Sequence, residues 1–130
     1  MLRTSGIDHL NLQVIKLSES VEFYSRLFGF KILKEEREYD GANIGNDRVK
    51  LCLYEDPDFK GYKKNGMNHF CLHVENFDEI LEACKKQGVK VNYGGIVPWE
   101  KSDSVYIEDP NGYEIELSRV WGGGLGIKKT

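Results

Sequence analysis

The amino-acid sequence predicts one α+β domain built from two βαβββ modules, because it contains an internal repeat and each copy has the same internal pattern. A shift of 60 residues, with one residue deleted in the second copy, superposes residues 6–32 on residues 66–91 and aligns His9 with His69. Each copy opens on the polar–apolar alternation of a half-buried strand and continues with apolar residues at helical spacing. A fixed internal period of this kind indicates two copies of one folding unit.

The first module is predicted over residues 5–55. Its opening strand covers residues 9–14, in which the apolar residues share one face. Ser18 is the expected N-cap of the helix that follows, because its side chain can accept a hydrogen bond from the first helical turn. Three strands complete the module, over residues 31–37, 41–45 and 48–54.

The second module, predicted over residues 66–120, repeats this order. Its opening strand covers residues 69–74, Asp78 is the expected helix N-cap, and Gly88 is the expected left-handed residue at the helix end. The remaining strands are predicted over residues 90–93, 104–108 and 113–119, with the turn Asp109-Pro110-Asn111-Gly112 before the last.

The predicted domain covers residues 1–121, with a connector over residues 56–65 between the modules. The connector holds a proline, a glycine and lysines, which favour an irregular segment. Three consecutive glycines follow Trp121, and they predict a mobile tail over residues 122–130.

Composition excludes several classes of partner. The 130 residues carry 18 Lys and Arg against 21 Asp and Glu, for a net charge of −3, and no basic stripe suited to nucleic acid is visible. No apolar run approaches the roughly 20 residues that span a bilayer, and the N-terminus lacks the apolar core of a signal peptide. The three cysteines form no C-x-x-C pair, which favours reduced thiols. We therefore expect a cytoplasmic protein that binds neither nucleic acid nor membrane.

Three side chains stand out on the polar faces of the predicted strands. His9 and His69 are repeat mates, and each lies opposite the apolar face of its strand. Glu116 likewise lies opposite Ile115 and Leu117. A single residue of this kind is usually a solvated surface group, and the repeat is what gives the two histidines a shared interpretation.

The chain resembles the vicinal oxygen chelate superfamily, which includes glyoxalase I, the extradiol dioxygenases, fosfomycin-resistance proteins and the metal-free bleomycin-resistance proteins. The resemblance covers residues 5–119, and its most specific elements are the paired modules and the run Glu-Asp-Pro-Asn-Gly-Tyr-Glu-Ile-Glu-Leu over residues 108–117. It implies that the two modules pair their sheets into a curved cup around the active site. It also implies a divalent ion (Fe, Mn, Ni, Co or Zn) held by His9, His69 and Glu116, with positions left open for substrate oxygens.

Departures from the family pattern reduce the number of superfamily reactions that the chain is expected to catalyse. The resemblance puts the fourth ligand position on Leu51, where glyoxalase I has a carboxylate, and Glu114 is the alternative carboxylate if the register of the last strand shifts by two. The extradiol signature has an acid/base histidine before Tyr106, and this chain has Trp99 in that stretch. Asp103 lies where fosfomycin-resistance enzymes place a basic residue, and its charge would repel a phosphonate.

The sequence therefore predicts a homodimeric, metal-dependent lyase, isomerase or dioxygenase. Its substrate is expected to be a small molecule that binds the metal through two neighbouring oxygens. The alternative is a metal-free protein that sequesters a small molecule, as bleomycin-resistance proteins do. The triad of His9, His69 and Glu116 discriminates between them, because those binding proteins generally lack it. No residue is assigned as general base.

Overall fold

The structure, a computed structural model, describes residues 1–126 and comprises two compact units. The first unit is Met1–Gly61, and the second begins at Tyr62, within the segment predicted as the connector. Each unit holds one four-stranded mixed sheet and one α-helix, which confirms the α+β class and the two βαβββ modules. The cup, the homodimer and the cytoplasmic location stay predictions.

The first unit places its helix between the first and second strands of one sheet. In chain order its elements are β1 (Leu10–Val14), α1 (Leu17–Phe28), β2 (Lys31–Glu36), β3 (Gly41–Gly45) and β4 (Lys50–Glu55). The strand order is β1-β4-β3-β2, in which only the β1–β4 pair is parallel. The side chains at the centre of its core are almost inaccessible to solvent: Val14, Tyr24, Ile44, Leu51 and Leu53.

Helix α1 begins two residues earlier than a Ser18 cap would require. Lys16 occupies the N-cap position and makes no side-chain capping bond. The backbone N–H of Leu17 instead donates to the Glu55 carboxylate at the end of β4, at 2.8 Å. A carboxylate from a neighbouring strand thus satisfies one of the free N–H groups of the first turn, which local sequence could not show.

The turn between β3 and β4 fixes the register of those two strands. The Asn46 side-chain oxygen accepts hydrogen bonds from the backbone N–H groups of Arg48 and Val49, both at 2.8 Å. Gly45 has φ +154°, and a Cβ there would lie 1.9 Å from the carbonyl oxygen of Val49. The turn therefore requires glycine, and the register that it sets pairs Asn43 with Cys52.

The second unit repeats the same topology. Its elements are β5 (Phe70–His73), α2 (Ile80–Gln87), β6 (Val97–Pro98), β7 (Asp103–Glu108) and β8 (Glu114–Ser118). The strand order is β5-β8-β7-β6, and only the β5–β8 pair is parallel. The buried face of this sheet carries Val105, Ile107, Ile115 and Leu117.

Two local predictions for the second unit differ from the structure. The segment 90–93 makes only one isolated bridge, from Val91 to Ile107, and β6 forms later. Tyr93, Gly94 and Gly95 all have positive φ angles, which an extended strand cannot accommodate. At the helix, a 3₁₀ turn (Phe77–Glu79) precedes α2.

Asp78 lies inside that 3₁₀ turn and does not cap α2. Its carboxylate accepts a hydrogen bond from the guanidinium of Arg119, at 3.0 Å. At the other end of the helix the prediction is confirmed, since Gly88 is the left-handed C-cap, with φ +65°.

The turn before β8 confirms its prediction and sets the position of the last strand. Asp109 accepts hydrogen bonds from the backbone N–H groups of Asn111 and Tyr113, both at 2.9 Å. Gly112 has φ +88°, and a Cβ there would lie 3.1 Å from the carbonyl oxygen of Tyr62. The turn therefore delivers β8 in one register, which decides the face on which Glu116 lies.

The segment after β8 forms a 3₁₀ turn (Trp121–Gly124). The predicted mobile tail also includes residues 127–130, which lie outside the described residues. Within residues 1–126, no helix has the length and apolar character needed to cross a membrane.

Candidate metal centre

The register of β5 and β8 places the predicted ligands of the second unit on one face of its sheet. Cys71 pairs with Glu116 across the two parallel strands. Because side chains alternate along a strand, His69 and Glu114 project from this same face. The opposite face carries Phe70 and the buried apolar side chains. We call the face with His69, Cys71 and Glu116 the polar face of sheet 2.

His69 and Glu116 are in direct contact on this face. The Nε2 atom of His69 lies 2.9 Å from Oε1 of Glu116, and their side chains are 29% and 17% exposed. Two ligand atoms that each lie about 2.1 Å from one metal ion, at right angles to each other, are about 3.0 Å apart. The pair therefore has the spacing of two adjacent ligands of one ion.

The second ring nitrogen of His69 is held by its neighbour in sequence. Nδ1 lies 2.8 Å from the side-chain oxygen of Asn68, which can only accept a hydrogen bond, so Nδ1 carries the proton. The Nε2 lone pair then faces a carboxylate lone pair. One positive charge, a proton or a metal ion, has to lie between Nε2 and Oε1. The donor set on this face fits a divalent metal ion.

The first unit repeats this arrangement at His9. Its Nδ1 lies 2.6 Å from the carboxylate of Asp8, the residue before it, just as Nδ1 of His69 contacts the preceding Asn68. The hydrogen bond from His9, with the nearby charge of Lys50, lowers the pKa of Asp8 below its usual value. A carboxylate or carbonyl oxygen on one ring nitrogen is the partner that metal-binding histidines have in proteins, because it orients the other nitrogen.

The second oxygen of Glu116 is held by the neighbouring strand β7. The hydroxyl of Ser104 donates to Oε2 at 2.6 Å. Tyr106 is the direct cross-strand partner of Glu116, and its ring packs edge-on against that of His69 at 5.6 Å. These contacts restrict the carboxylate and the imidazole to one mutual orientation.

Tyr106 is fixed in turn by Trp99. The indole N–H of Trp99 donates to the Tyr106 hydroxyl at 3.0 Å, so the phenol keeps its own proton, for which the Glu116 carboxylate is the acceptor. Burial raises the pKa of Tyr106, and the charge of Glu116 adds to the rise against the opposing effect of Trp99. Tyr106 is thus a hydrogen-bonding residue of the site as well as a strand residue. An indole N–H cannot take up a proton, so Trp99 does not replace an acid/base histidine.

The Glu114 carboxylate is held by three hydrogen-bond donors of the second unit. Its carboxylate is 5% exposed and lies 3.1 Å from the ammonium of Lys64. Asn92 and Tyr93 also donate to it, at 2.9 and 2.7 Å. Burial by itself would raise the pKa of Glu114, but the hydrogen bonds from Tyr93, Lys64 and Asn92 lower it below its usual value. Glu114, the alternative carboxylate of the sequence analysis, is therefore buried and held by three donors.

His73 lies on the polar face of sheet 2 but is directed elsewhere. Its Nε2 contacts the carbonyl oxygen of Arg119 at 3.1 Å, and its ring packs on Trp121 at 5.7 Å. It is therefore tied to the segment after β8.

In the register of the first unit, Cys52 and not Leu51 corresponds to Glu116. Leu51 pairs with Leu10 in the parallel β1–β4 ladder and is fully buried on the apolar face. The residue that occupies the place of Glu116 is Cys52, which pairs with Asn11 as Glu116 pairs with Cys71. Aligning the first unit by sequence could not reveal this, because β4 is apolar on both sides of Cys52.

The carboxylate of Asp103 lies on the opposite face from the predicted ligands. Its neighbour Ser104 points to Glu116, and Asp103 accepts a hydrogen bond from Arg119 at 3.1 Å. Arg119 also bonds Asp78 and lies 4.3 Å over the ring of Phe77. The charge of Asp103 is therefore compensated, and it gives no reason to reject a phosphonate.

Within residues 1–126, no three His, Cys, Asp or Glu side chains form a ready-made metal cluster. The described centre is a pair, His69 and Glu116, together with the groups that hold it. His9 belongs to the first unit and has the same hydrogen-bonding pattern. No clear signal in the sequence pointed to the roles of Ser104 and Asn68.

The chain belongs to the glyoxalase/bleomycin resistance protein/dioxygenase superfamily, whose family model matches residues 6–117. Among curated relatives, it is 29% identical over 129 residues to a lactoylglutathione lyase of Salmonella typhimurium, covering 92% of this chain and 96% of that one. It is 27% identical over 114 residues to a probable trivalent organoarsenical cleaving enzyme of Bacillus subtilis, covering 84% and 76%.

Solved structures share the fold. The fosfomycin resistance protein FosX from Listeria monocytogenes aligns with a TM-score of 0.76 at 20% identity, over 95% of this chain and all of that one. A lactoylglutathione lyase from Agrobacterium tumefaciens aligns with a TM-score of 0.74 at 23% identity, over 95% and 98%. At these identities the likeness concerns the fold alone.

We predict that Glu114→Ala lowers the free energy of unfolding by about 1–3 kcal/mol, because it removes a buried acceptor of three hydrogen bonds. Urea unfolding followed by circular dichroism measures this. Glu82→Ala is the control, since that carboxylate is 76% exposed and its loss should change the free energy by no more than about 0.5 kcal/mol. Equal effects of the two changes would show that the Glu114 cluster is not structural.

Proposed function

We propose that this protein is a divalent-metal-dependent enzyme that activates a small substrate through two neighbouring oxygens. The ion is Fe, Mn, Ni, Co or Zn, held by His9, His69 and Glu116. The observation that carries the proposal is the contact between His69 and Glu116, in which Nε2 of the imidazole lies 2.9 Å from a carboxylate oxygen. The same Nδ1 bonding at His9 supports its inclusion.

The relatives support this proposal. Lactoylglutathione lyases and an organoarsenical cleaving enzyme are among the curated proteins similar to this chain. A FosX mutant from Listeria monocytogenes, similar in fold, was crystallised with Mn(II) and a dihydroxypropylphosphonic acid. That ligand carries two hydroxyl groups on neighbouring carbons, which is the substrate chemistry proposed here.

The chain's own residues would divide the work as follows. A bound ion supplies Lewis acidity that lowers the energy of negative charge on substrate oxygens. His69 and Glu116 hold the ion, Asn68 orients the imidazole, and Ser104 orients the carboxylate. Tyr106 keeps its proton, which the Glu116 carboxylate accepts in the structure and which would be donated to a substrate oxygen once Glu116 binds the ion. A donor fixed in advance stabilises developing charge without reorganisation.

The carboxylates of the second unit restrict the reaction. Glyoxalase I uses two carboxylates as metal ligands. In this chain Glu114 is buried and held by three hydrogen-bond donors. Cys52 is the residue that corresponds in register to Glu116 in the first unit. We therefore propose a lyase or isomerase chemistry that one carboxylate ligand suffices to support. The lactoylglutathione reaction of the relatives is the less favoured case.

The alternative is a metal-free protein that binds and sequesters a small molecule, as the bleomycin-resistance members of the superfamily do. In a metal-free protein, the contact between Nε2 of His69 and the Glu116 carboxylate would need a proton between the two atoms. The described contacts orient both groups as ligands, through Asn68 and Ser104. This favours the metal enzyme.

Metal content tests the proposal. Protein purified without chelator and without a metal-binding tag should contain about one divalent ion per chain, measured by elemental analysis. His69→Ala and Glu116→Ala should lower the affinity for the added ion at least tenfold in calorimetric titration. Loss of a residue that only hydrogen-bonds to a metal ligand already lowers metal affinity by about tenfold or more. Glu114→Gln is the matched control on the same strand, and it should retain the ion.

Two results would contradict it. A metal-free protein whose thermal unfolding is unchanged by added Fe, Mn, Ni, Co or Zn would favour the sequestering protein. Equal losses of metal affinity in the Glu116 and Glu114 variants would show that Glu116 is wrongly assigned as the carboxylate ligand.

Ring cleavage is expected to be slow or absent. Trp99 donates one N–H to Tyr106 and cannot move protons, and loss of a positioned acid/base group costs about 10²–10⁴-fold in rate. Protein loaded anaerobically with Fe(II) should therefore give little ring-opened product when catechol and oxygen are admitted, followed by its yellow absorbance. Rapid turnover would contradict this and would make the protein an extradiol dioxygenase.

A further inference from the structure

The two sheets share one register, and this assigns a partner to His9 within the first unit. In sheet 2, Phe70 pairs with Ile115 and Cys71 pairs with Glu116. In the first unit, Leu10 pairs with Leu51 and Asn11 pairs with Cys52. The relation of His9 to Cys52 is therefore the relation of His69 to Glu116.

That relation brings side chains into contact where it can be read directly. His69 lies two residues before Cys71, the paired residue of Glu116, so both side chains share one face, and their ligand atoms are 2.9 Å apart. His9 and Cys52 occupy the same places on the corresponding face of the first sheet. Cys52 is 6% exposed, so its thiol is shielded from bulk solvent.

A second observation concerns the next strand of that face. Asn43 of β3 is the direct cross-strand partner of Cys52, as Tyr106 is of Glu116. Its side-chain oxygen Oδ1 is buried and has no hydrogen-bond partner among residues 1–126. A buried acceptor without a donor is rare in folded proteins and points to a bound group that supplies one. The Asn43 side chain lies beside the Cys52 thiol and on the same face of the sheet.

The donor types decide which ion suits this face. An imidazole and a thiolate are softer ligands than a carboxylate, and they favour Zn(II), Co(II) or Cd(II) over Mn(II) or Mg(II). Asn43 adds a neutral oxygen that can accept a hydrogen bond from a water or hydroxyl on the ion. The first unit therefore offers softer donors on this face than the second unit offers on the polar face of sheet 2.

We propose that His9 and Cys52 form an imidazole–thiolate donor pair that binds a thiophilic divalent cation. The inference deepens the proposed function and rests on it for the role of His9. On binding, the Cys52 thiol loses its proton to water as a metal–sulfur bond forms, with no change of oxidation state. The site thereby selects Zn(II), Co(II) or Cd(II) over Mn(II).

Cobalt reports directly on a thiolate ligand. Adding Co(II) to the reduced full-length protein should produce a near-ultraviolet sulfur-to-cobalt charge-transfer absorption. Cys52→Ser and Cys52→Ala should both lack that absorption, and circular dichroism should show that each remains folded. Cys71→Ser is the matched control, because it removes the other strand cysteine, and it should retain the absorption.

Calorimetric titrations with Cd(II) and Mn(II) give an independent measure. Replacing Cys52 should weaken Cd(II) binding at least tenfold and change Mn(II) binding much less, because only the soft ion loses a preferred ligand. A Cys52 variant that keeps the cobalt absorption, or loses it only together with Cys71, overturns the proposal.

The outcomes also separate this inference from the proposed function. Cobalt that binds to the wild-type protein without the charge-transfer absorption leaves the metal enzyme standing and overturns the role of Cys52. Failure of Co(II), Cd(II) and Mn(II) alike to bind the wild-type protein overturns both.

Discussion

Parallel pairing of the first and last strands of each module is the constraint on which the candidate site depends. A parallel pair needs a long crossover, and the helix and two antiparallel strands between β5 and β8 provide it. The pairing brings residues nearly fifty positions apart, His69 and Glu116, within 2.9 Å. One face of the pair then packs into the core, so the other must carry every chemically active side chain. The same constraint in the first module brings Cys52 beside the strand of His9.

Hydrogen bonds around the second unit's ligands turn this proximity into a defined geometry. Asn68 sets which nitrogen of His69 is free, and Ser104 holds the far oxygen of Glu116. Trp99 fixes the phenol of Tyr106 beside them. Each of these groups acts on a ligand or on a neighbouring donor, so a metal ion would meet preoriented atoms. Preorganisation of this kind lowers the cost of binding, because the side chains lose little further freedom.

Much of this architecture follows from sequence, because alternation and an internal repeat are strong local signals. They predict both modules, the apolar face of each opening strand and the Asp109–Gly112 turn. The parts that sequence missed depend on contacts far along the chain. Glu55 takes over the role expected of Ser18. Cys52, not Leu51, corresponds in register to Glu116, and sequence missed this because β4 is apolar on both sides of Cys52. The burial of Glu114 likewise depends on Lys64, fifty residues earlier.

The most direct measurement is anomalous diffraction from crystals grown with Mn(II). The account predicts one strong peak about 2.0–2.3 Å from both Nε2 of His69 and Oε1 of Glu116, the distance of ordinary metal–ligand bonds. An ion bound elsewhere, with His69 and Glu116 still hydrogen-bonded directly to each other, would contradict the account.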